Sequence, residues 1–425
     1  MKQFTRAMSV LRTYGGNLAA FQPNARLYLS AQVLSGAAMG VYRLLFNFYV
    51  LSLGYDETLL GILVTANSLT ALLVALPMGY LADAIGRKAS LVLGSVINSL
   101  ALLSAVLFPQ AWVLVGANVL SGAAQGLMGA TGGPFLMENS SERERTYLFS
   151  FAQGLLMTSV FVGNWVGGYL PTWMANRLGV LPTSAEAYRL ALGAVVVVIG
   201  MAAVPYLLLR APKRTSERSS FASPAFFIQE RGLLARLITP LLATSLGAGM
   251  IMPFLNVFYR QVHDLPDATI GTLFAWGSLA MAIGLMIAPP LADRYGKIQL
   301  VVVSQALSIP FLAIMGYAPY ALSAGAYLIR LALMNMSGPV YQTFVMEKVA
   351  PERRATVASL SSMAFNFGWA FTPSISGWLQ TNYGFGPIYA WTIILYVLST
   401  YLYWVFFWRG SGEKEPVLHP IGNKQ

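Results

Sequence analysis

The 425-residue chain contains no cysteine. That excludes a disulfide framework, a thiolate metal site and a cysteine nucleophile. Two histidines, His263 and His419, are too few for a histidine-based metal cluster, and no cofactor is expected. Charge is scarce as well: 10% of residues are Asp, Glu, Lys or Arg, against about 25% in an ordinary soluble domain. A chain so poor in charge and 56% hydrophobic is neither disordered nor able to clothe a soluble surface. The net charge of +11 therefore does not mark a nucleic-acid face, which concentrates basic residues on a wet surface. The composition is that of a polytopic membrane protein. The first 26 residues are basic and mixed-polar, without the compact apolar stretch and cleavage site of a signal peptide. The first apolar span is accordingly expected to be a retained helix.

A helix crossing the hydrocarbon core needs about 20 mostly apolar residues. Charge-free runs cover residues 58–82, 89–137, 146–176, 190–209, 237–259, 268–292, 298–329 and 355–408. Turn signals divide the long ones at Pro109-Gln110, Pro319 and 383–387. With 27–51 and 320–346, each holding one arginine, the chain is predicted to form twelve transmembrane helices, an all-α membrane protein. Continuous apolar runs of this length disfavour a lipid-facing barrel, whose strands alternate. Placing the N-terminus inside puts 22 of the 27 Lys/Arg in cytoplasmic segments and leaves Arg177, Arg189 and Arg260 outside. That asymmetry predicts cytoplasmic N- and C-termini and a multi-pass protein of the plasma (inner) membrane.

The two halves match at a spacing of 210 residues. Tyr49 pairs with Tyr259, Gly61 with Gly271, Leu81-Ala82-Asp83 with Leu291-Ala292-Asp293, Gly86 with Gly296, and Gly167 with Gly377. Phe135–Glu138 echoes Phe344–Glu347 one residue out of step. Two six-helix bundles follow, expected at 1–210 and 237–425, joined by a charged linker at 211–236 and ending in a short tail. Phe221, Phe226 and Phe227 in that linker suit a membrane-surface contact.

At this level the sequence resembles the major facilitator superfamily over essentially its whole length. Gly79-Tyr-Leu-Ala-Asp83-Ala-Ile-Gly86-Arg87-Lys88 is similar to the family's signature between helices 2 and 3, and the second half repeats it around Asp293, Gly296 and Lys297. The resemblance implies a cytoplasmic latch between the bundles, with Asp83 and Arg87 meeting Glu138 and with Glu347 as its counterpart. The alternative is that these are topology-setting loop charges. On helix 5, Ser159-x3-Gly163-Asn164-x2-Gly167-Gly168 is similar to a motif of the family's proton-coupled exporters, with Asn164 in place of proline. Close helix packing explains the same glycines. The helix-4 arginine of those exporters is replaced by Asn118.

Two arginines fall inside spans, Arg43 and Arg330. On insertion scales such a charge costs about 2.5–3.5 kcal/mol, and it persists where it meets water, a partner or a ligand. By the resemblance, helices 1, 4, 7 and 10 line the central cavity. The substrate-cavity candidates are therefore Gln32, Arg43, Asn47, Asn118, Gln125, Asn256, Arg330 and Asn335. No Asp or Glu lies deep in any span. Two cavity arginines without acids suit an anionic or strongly accepting group; the alternative is that one or both are structural. Trp112, Trp173, Trp391, Trp404 and Trp408 sit near span ends, as interfacial belts do, and Trp276 and Trp369 are expected in the core, with stacking on a ligand as the alternative. The glycine-rich stretch 122–133 lacks a Gly-Lys-Ser/Thr ending, so no nucleotide is expected.

The function this supports is secondary active transport of a small solute by alternating access between the bundles, with export of an anionic or amphiphilic metabolite as the leading version. A broad-specificity drug-type efflux pump is the alternative. A membrane enzyme would need a reactive cluster that the sequence lacks, and a non-transporting sensor or scaffold, the lesser alternative, normally adds a soluble domain or long tail. The expected partners are a small-molecule substrate, the bilayer and a coupling ion, without nucleic acid or nucleotide. The resemblance favours a monomer.

Overall fold

The computed structural model describes residues 21–210, 230–349 and 353–409. The described residues form twelve helices, running alternately up and down, and no strand. In the first bundle these are α1 (Pro23–Ser52), α2 (Glu57–Ile85), α3 (Arg87–Leu107), α4 (Ala111–Glu138), α5 (Glu142–Leu178) and α6 (Ala185–Met201, continued by Ala203–Leu207). The second holds α7 (Arg231–Ile251, a 3-10 turn Met252–Phe254, then Leu255–His263), α8 (Asp267–Tyr295), α9 (Lys297–Tyr317), α10 (Tyr320–Lys348), α11 (Arg354–Tyr383) and α12 (Gly386–Tyr403, closed by a π turn Trp404–Trp408). Most of the expected linker lies outside the described residues.

Local chemistry sets the ends. Asp56 caps α2 by accepting from the Leu59 N–H at 3.0 Å, and Ser184 caps α6 through Ala187. The α2–α3 and α8–α9 turns pass through Gly86 and Gly296 at φ 89° and 94°, where a side chain is strained. Pro253 interrupts α7, because a proline cannot donate to the preceding turn.

Nine of the twelve helices are long and apolar enough to cross a membrane. The other three, α5, α10 and α11, bury polar side chains instead: Ser159 and Asn164; Ser323, Arg330 and Ser337; Ser361, Thr372, Ser376 and Gln380. α5 and α11 are the helices that meet the opposite bundle, packing on α8 and α2.

The end carrying the α2–α3, α4–α5, α8–α9 and α10–α11 turns is called the basic end here, and the opposite end the distal end. At the distal end one continuous core runs through both bundles, joining Leu44, Leu45, Phe48, Tyr49 and Tyr188 to Phe254, Phe258, Tyr259, Ile270 and Tyr389. Toward the basic end the core splits. One cluster contains only second-bundle residues such as Leu237, Val301 and Tyr341, and two smaller ones contain only first-bundle residues. Ala75, Leu76 and Pro77 on α2, and Phe365, Asn366 and Phe367 on α11, are exposed at three successive positions. Successive helical residues point about 100° apart, so at this level neither helix has a partner across the divide. The bundles are sealed distally and parted at the basic end.

Candidate functional site

Arg43 stands about 14 Å from the distal end of α1, at 1.5 Å per residue. Val41, Tyr42, Leu44 and Leu45 around it are buried, whereas Arg43 itself is exposed. It lies one turn before Asn47, on the α1 face that meets α7 of the other bundle, so it opens onto the cavity between the parted bundles and not onto the lipid face. No described residue gives it a hydrogen bond or an ion pair.

One turn further out the cavity is roofed. Asn47 on α1 donates to the Pro253 carbonyl at 2.7 Å and to Asn256 Oδ1 at 2.9 Å. Asn256 donates back to the Leu44 carbonyl at 2.8 Å. Each asparagine thus bonds the carbonyl three residues before the other, across the divide, and both are buried. They form a lock between α1 and α7 and not open cavity wall, contrary to the sequence expectation. The repeat sets Asn47 against position 257, so its register does not reveal the pair.

Two glycine seams flank this lock. A Cβ on Gly271 of α8 would lie 2.6 Å from the Asn164 carbonyl oxygen and 2.8 Å from Gly168 Cα on α5; one on Gly168 would lie 2.7 Å from the Asp267 carbonyl oxygen. The opposite seam repeats the arrangement. A Cβ on Gly61 of α2 would crowd Pro373 and lie 2.9 Å from Ser374 Cα on α11, and one on Gly377 would crowd the Glu57 backbone. Sequence register pairs Gly167 with Gly377, but Gly168 is the structural counterpart. Gly163 and Gly167 face α1 instead, against Ala37 and Val41. The helix-5 motif therefore packs on both sides, and Asn164 reaches Ser278 Oγ of α8 at 3.5 Å.

A third cross-bundle contact caps the distal end. Arg260 of α7 and Asp267 of α8 are ion-paired. The Arg260 guanidinium lies 3.5 Å from the ring centroid of Phe48 on α1 and donates to the Tyr188 hydroxyl of α6 at 2.7 Å. Tyr188 donates to Asp267 Oδ2 at 2.7 Å. Sequence reasoning missed Asp267 because it is the first residue of its helix. Its burial, at 8% exposure, is a property of the assembled bundles.

The family model of the Major Facilitator Superfamily matches residues 28–338 and 237–420. The chain belongs to the Major Facilitator Superfamily. It is similar to an inner membrane metabolite transport protein, YhjE, of Escherichia coli, 27% identical over 340 residues, 73% of this chain and 75% of that one. The multidrug resistance protein MdtG of Proteus mirabilis is 20% identical over 386 residues, 88% of this chain and 93% of that one. A gallate transporter of Pseudomonas putida matches over 140 residues at 26% identity, so this chain spans about a third (31%) of its length. Among solved structures, a crystal structure of the nucleoside transporter NupG superposes with a TM-score of 0.73 at 14% identity, covering 93% of this chain and all of that one. The chain is thus a multi-pass membrane transporter and not an enzyme.

Within this facilitator fold none of the other predicted cavity residues is hydrogen-bonded to Arg43 in the described structure. Asn118 is buried and donates to Leu114 of its own helix; its carbonyl accepts from Asn67. Gln125 donates to Ser121, which in turn donates to Asn98 of α3. Asn335 donates to Leu331 of its own helix. Gln32 is partly buried, with Oε1 lacking a partner among the described residues. Arg330 is 1% exposed. It is shut inside the second bundle, 5.1 Å from the ring centroid of Tyr396 on α12, with Nε and Nη2 unpartnered among the described residues. It does not open onto the cavity, because the tyrosine-rich packing of α7, α10 and α12 closes over it. Trp276, expected in the core, is 53% exposed and stands edge-on to Phe161.

The signature charges also differ from the expected latch. Arg87 bridges Asp83 at 2.8 Å and Glu138 at 3.1 Å. All three belong to the first bundle, so the cluster ties α2, α3 and α4 together and does not join the bundles. Lys297 and Glu347 repeat it in the second bundle, while no bond joins Asp293 to another described residue. The arrangement is consistent with bundles already parted at this end. A Cβ on Gly79 would meet no atom of the described residues within 4 Å.

Proposed function

We propose that this facilitator exports a small anionic or amphiphilic metabolite by alternating access. On this reading the basic end faces the cytoplasm, with both chain termini on that side of the inner membrane, and the structure is the inward-facing state. Arg43 is the observation that carries it: a guanidinium without a partner among the described residues, exposed in mid-span, one turn inside the Asn47–Asn256 roof. An arginine offers bidentate hydrogen bonds to carboxylate, sulfate or phosphate. An unpaired charge at that depth is otherwise expensive. A solute entering from the basic end meets Arg43 before the roof and leaves distally when the lock and seams part. The relatives' names agree with the class without fixing the solute: one is a metabolite transport protein, another a gallate transporter, and gallate is a carboxylate.

The test is flux in vesicles of defined orientation, comparing acidic, neutral and cationic solutes. With Arg43→Ala, transport of acidic solutes is expected to fall at least tenfold, about the 1.4 kcal/mol carried by one charge-assisted bond, and Arg43→Lys to restore part of it. Undiminished acidic flux in a correctly inserted Arg43→Ala protein rules the anion reading out. The second reading, a drug-type efflux pump, is favoured by the likeness to MdtG across 88% of this chain. It requires extrusion of cationic dyes that persists in Arg43→Ala.

A further inference from the structure

Asp267 is the one buried acid among the residues whose side chains are described, and the alternating-access reading above leaves it without a task. Its position in the repeat is informative. Glu57 is its counterpart at the start of α2, and each acid's backbone receives a seam glycine from the opposite bundle. The side chains differ. Glu57 is partly exposed and meets the neutral Gln261 and Thr381. Asp267 supplies the counter-charge of Arg260, in a site closed by Phe48 and Tyr188 of the other bundle.

We propose that Asp267 is a proton-binding site through which acidity on the distal side opens the distal gate. In the closed state the ionised carboxylate neutralises Arg260 and accepts from Tyr188. Protonation there leaves a guanidinium buried against Phe48 without a counter-charge, which is strongly unfavourable. Opening removes Phe48 and Tyr188 with the first bundle, and both Arg260 and Asp267, which stay together on the second, meet water. The proton is therefore accepted far more readily in the open state, and by linkage it favours that state. Charged and titratable neighbours do not take over the role. His263 stacks on Tyr259 and stands edge-on to Phe258, both on α7. Tyr169 of α5 and Tyr320 of α10 flank Ala268 and Thr269. Arg189 on α6 bonds the Leu107 carbonyl. The seam contacts of α5 at this level are backbone. The proton is exchanged with the distal medium only, so the site senses that side and does not itself carry a proton across.

The cysteine-free chain allows a direct test. Spin labels at Leu181→Cys and Leu322→Cys, both exposed and on opposite bundles, report the distal opening in the full-length protein. Between about pH 8 and about pH 4, spanning ordinary carboxylate titration, the long-distance population should rise severalfold. Asp267→Asn should show that population already at about pH 8, with no further response. Glu57→Gln should keep the acid response. Tyr188→Phe, which keeps the ring, should open at a less acid pH. An unchanged distribution in the parent, a parent-like response in Asp267→Asn, an abolished response in Glu57→Gln, or an unshifted midpoint in Tyr188→Phe each overturns the proposal. Opening by acid without flux of acidic solutes in vesicles supports the proposal and sinks the anion-export reading. Flux without acid opening does the reverse.

Discussion

Alanine at Gly271 adds one carbon where the structure has no room. The new Cβ lies 2.6 Å from the Asn164 carbonyl oxygen and 2.8 Å from Gly168 Cα, against the roughly 3.5 Å at which nonbonded carbons attract. Both neighbours are backbone of a long helix, so no side chain can swing aside. The α5–α8 seam must part by roughly 0.7 Å, and overpacking of this kind costs about 1–3 kcal/mol. The cost falls on the distally closed state alone, because the seam exists only there. A bias of about 1–3 kcal/mol is about a 5–150-fold shift toward the distally open state. Gly167→Ala is the contrast. Its Cβ would sit 3.1 Å from Val41 Cα, a contact inside the first bundle that survives in both states, so it lowers stability without a bias.

Alkylation reads this out. Met39→Cys puts a single thiol one turn below Arg43, reachable from the distal side only when that side opens. An impermeant maleimide added distally to sealed vesicles should label Gly271→Ala,Met39→Cys at least about fivefold faster than Met39→Cys alone. Gly167→Ala,Met39→Cys should label at the parent rate. Equal labelling in all three proteins, or equal acceleration by Gly167→Ala, refutes the assignment of the seam to the distal gate.

Two further perturbations follow from the same geometry. Asn47→Ala strands Asn256 in a buried site and should raise distal opening by about 1–3 kcal/mol, the cost of an unsatisfied buried polar group; Asn47→Ala,Asn256→Leu should recover part of it, measured by the same alkylation rate. Arg330→Met should leave the melting temperature unchanged or higher, since a buried charge with unpartnered N–H groups is often replaced by an apolar side chain without loss; a drop of several degrees shows that the tyrosine surroundings stabilise the charge.

The fold was legible because its cause is one-dimensional. Bilayer thickness sets helix length, so charge-free runs and turn residues locate twelve helices, and basic residues separate the two ends. The signature charges were legible as a cluster but not as to what they join, since Asp83, Arg87 and Glu138 bridge helices of one bundle in this state. The gate was less legible, for a physical reason at each residue. Asn47 and Asn256 meet only when the bundles rock together. Asp267 reads as an ordinary first-turn acid until Tyr188 and Phe48 cover it. Arg43 and Arg330 look alike in sequence, each a lone arginine in a span. Packing alone separates them, one exposed between the bundles and one enclosed by tyrosines.

The repeat itself has a mechanical consequence. The glycine seams are copies: Gly168 rests on the Asp267 carbonyl and Gly271, and Gly377 on the Glu57 carbonyl and Gly61. They lie on opposite sides of the Asn47–Asn256 lock. If each bundle moves as a rigid body, neither seam can open without the other, and crowding at both acts on one equilibrium. The free-energy costs of Gly61→Ala and Gly271→Ala should then add to within about 0.3–0.5 kcal/mol, as expected for separated sites without shared neighbours, and their effects on the Met39→Cys labelling rate should multiply while the open state remains the minor one. If the seams open independently, the double variant labels no faster than the sum of the single rates. A multiplied rate therefore means that the two bundles rock as units, and a summed rate means that each seam is a door of its own.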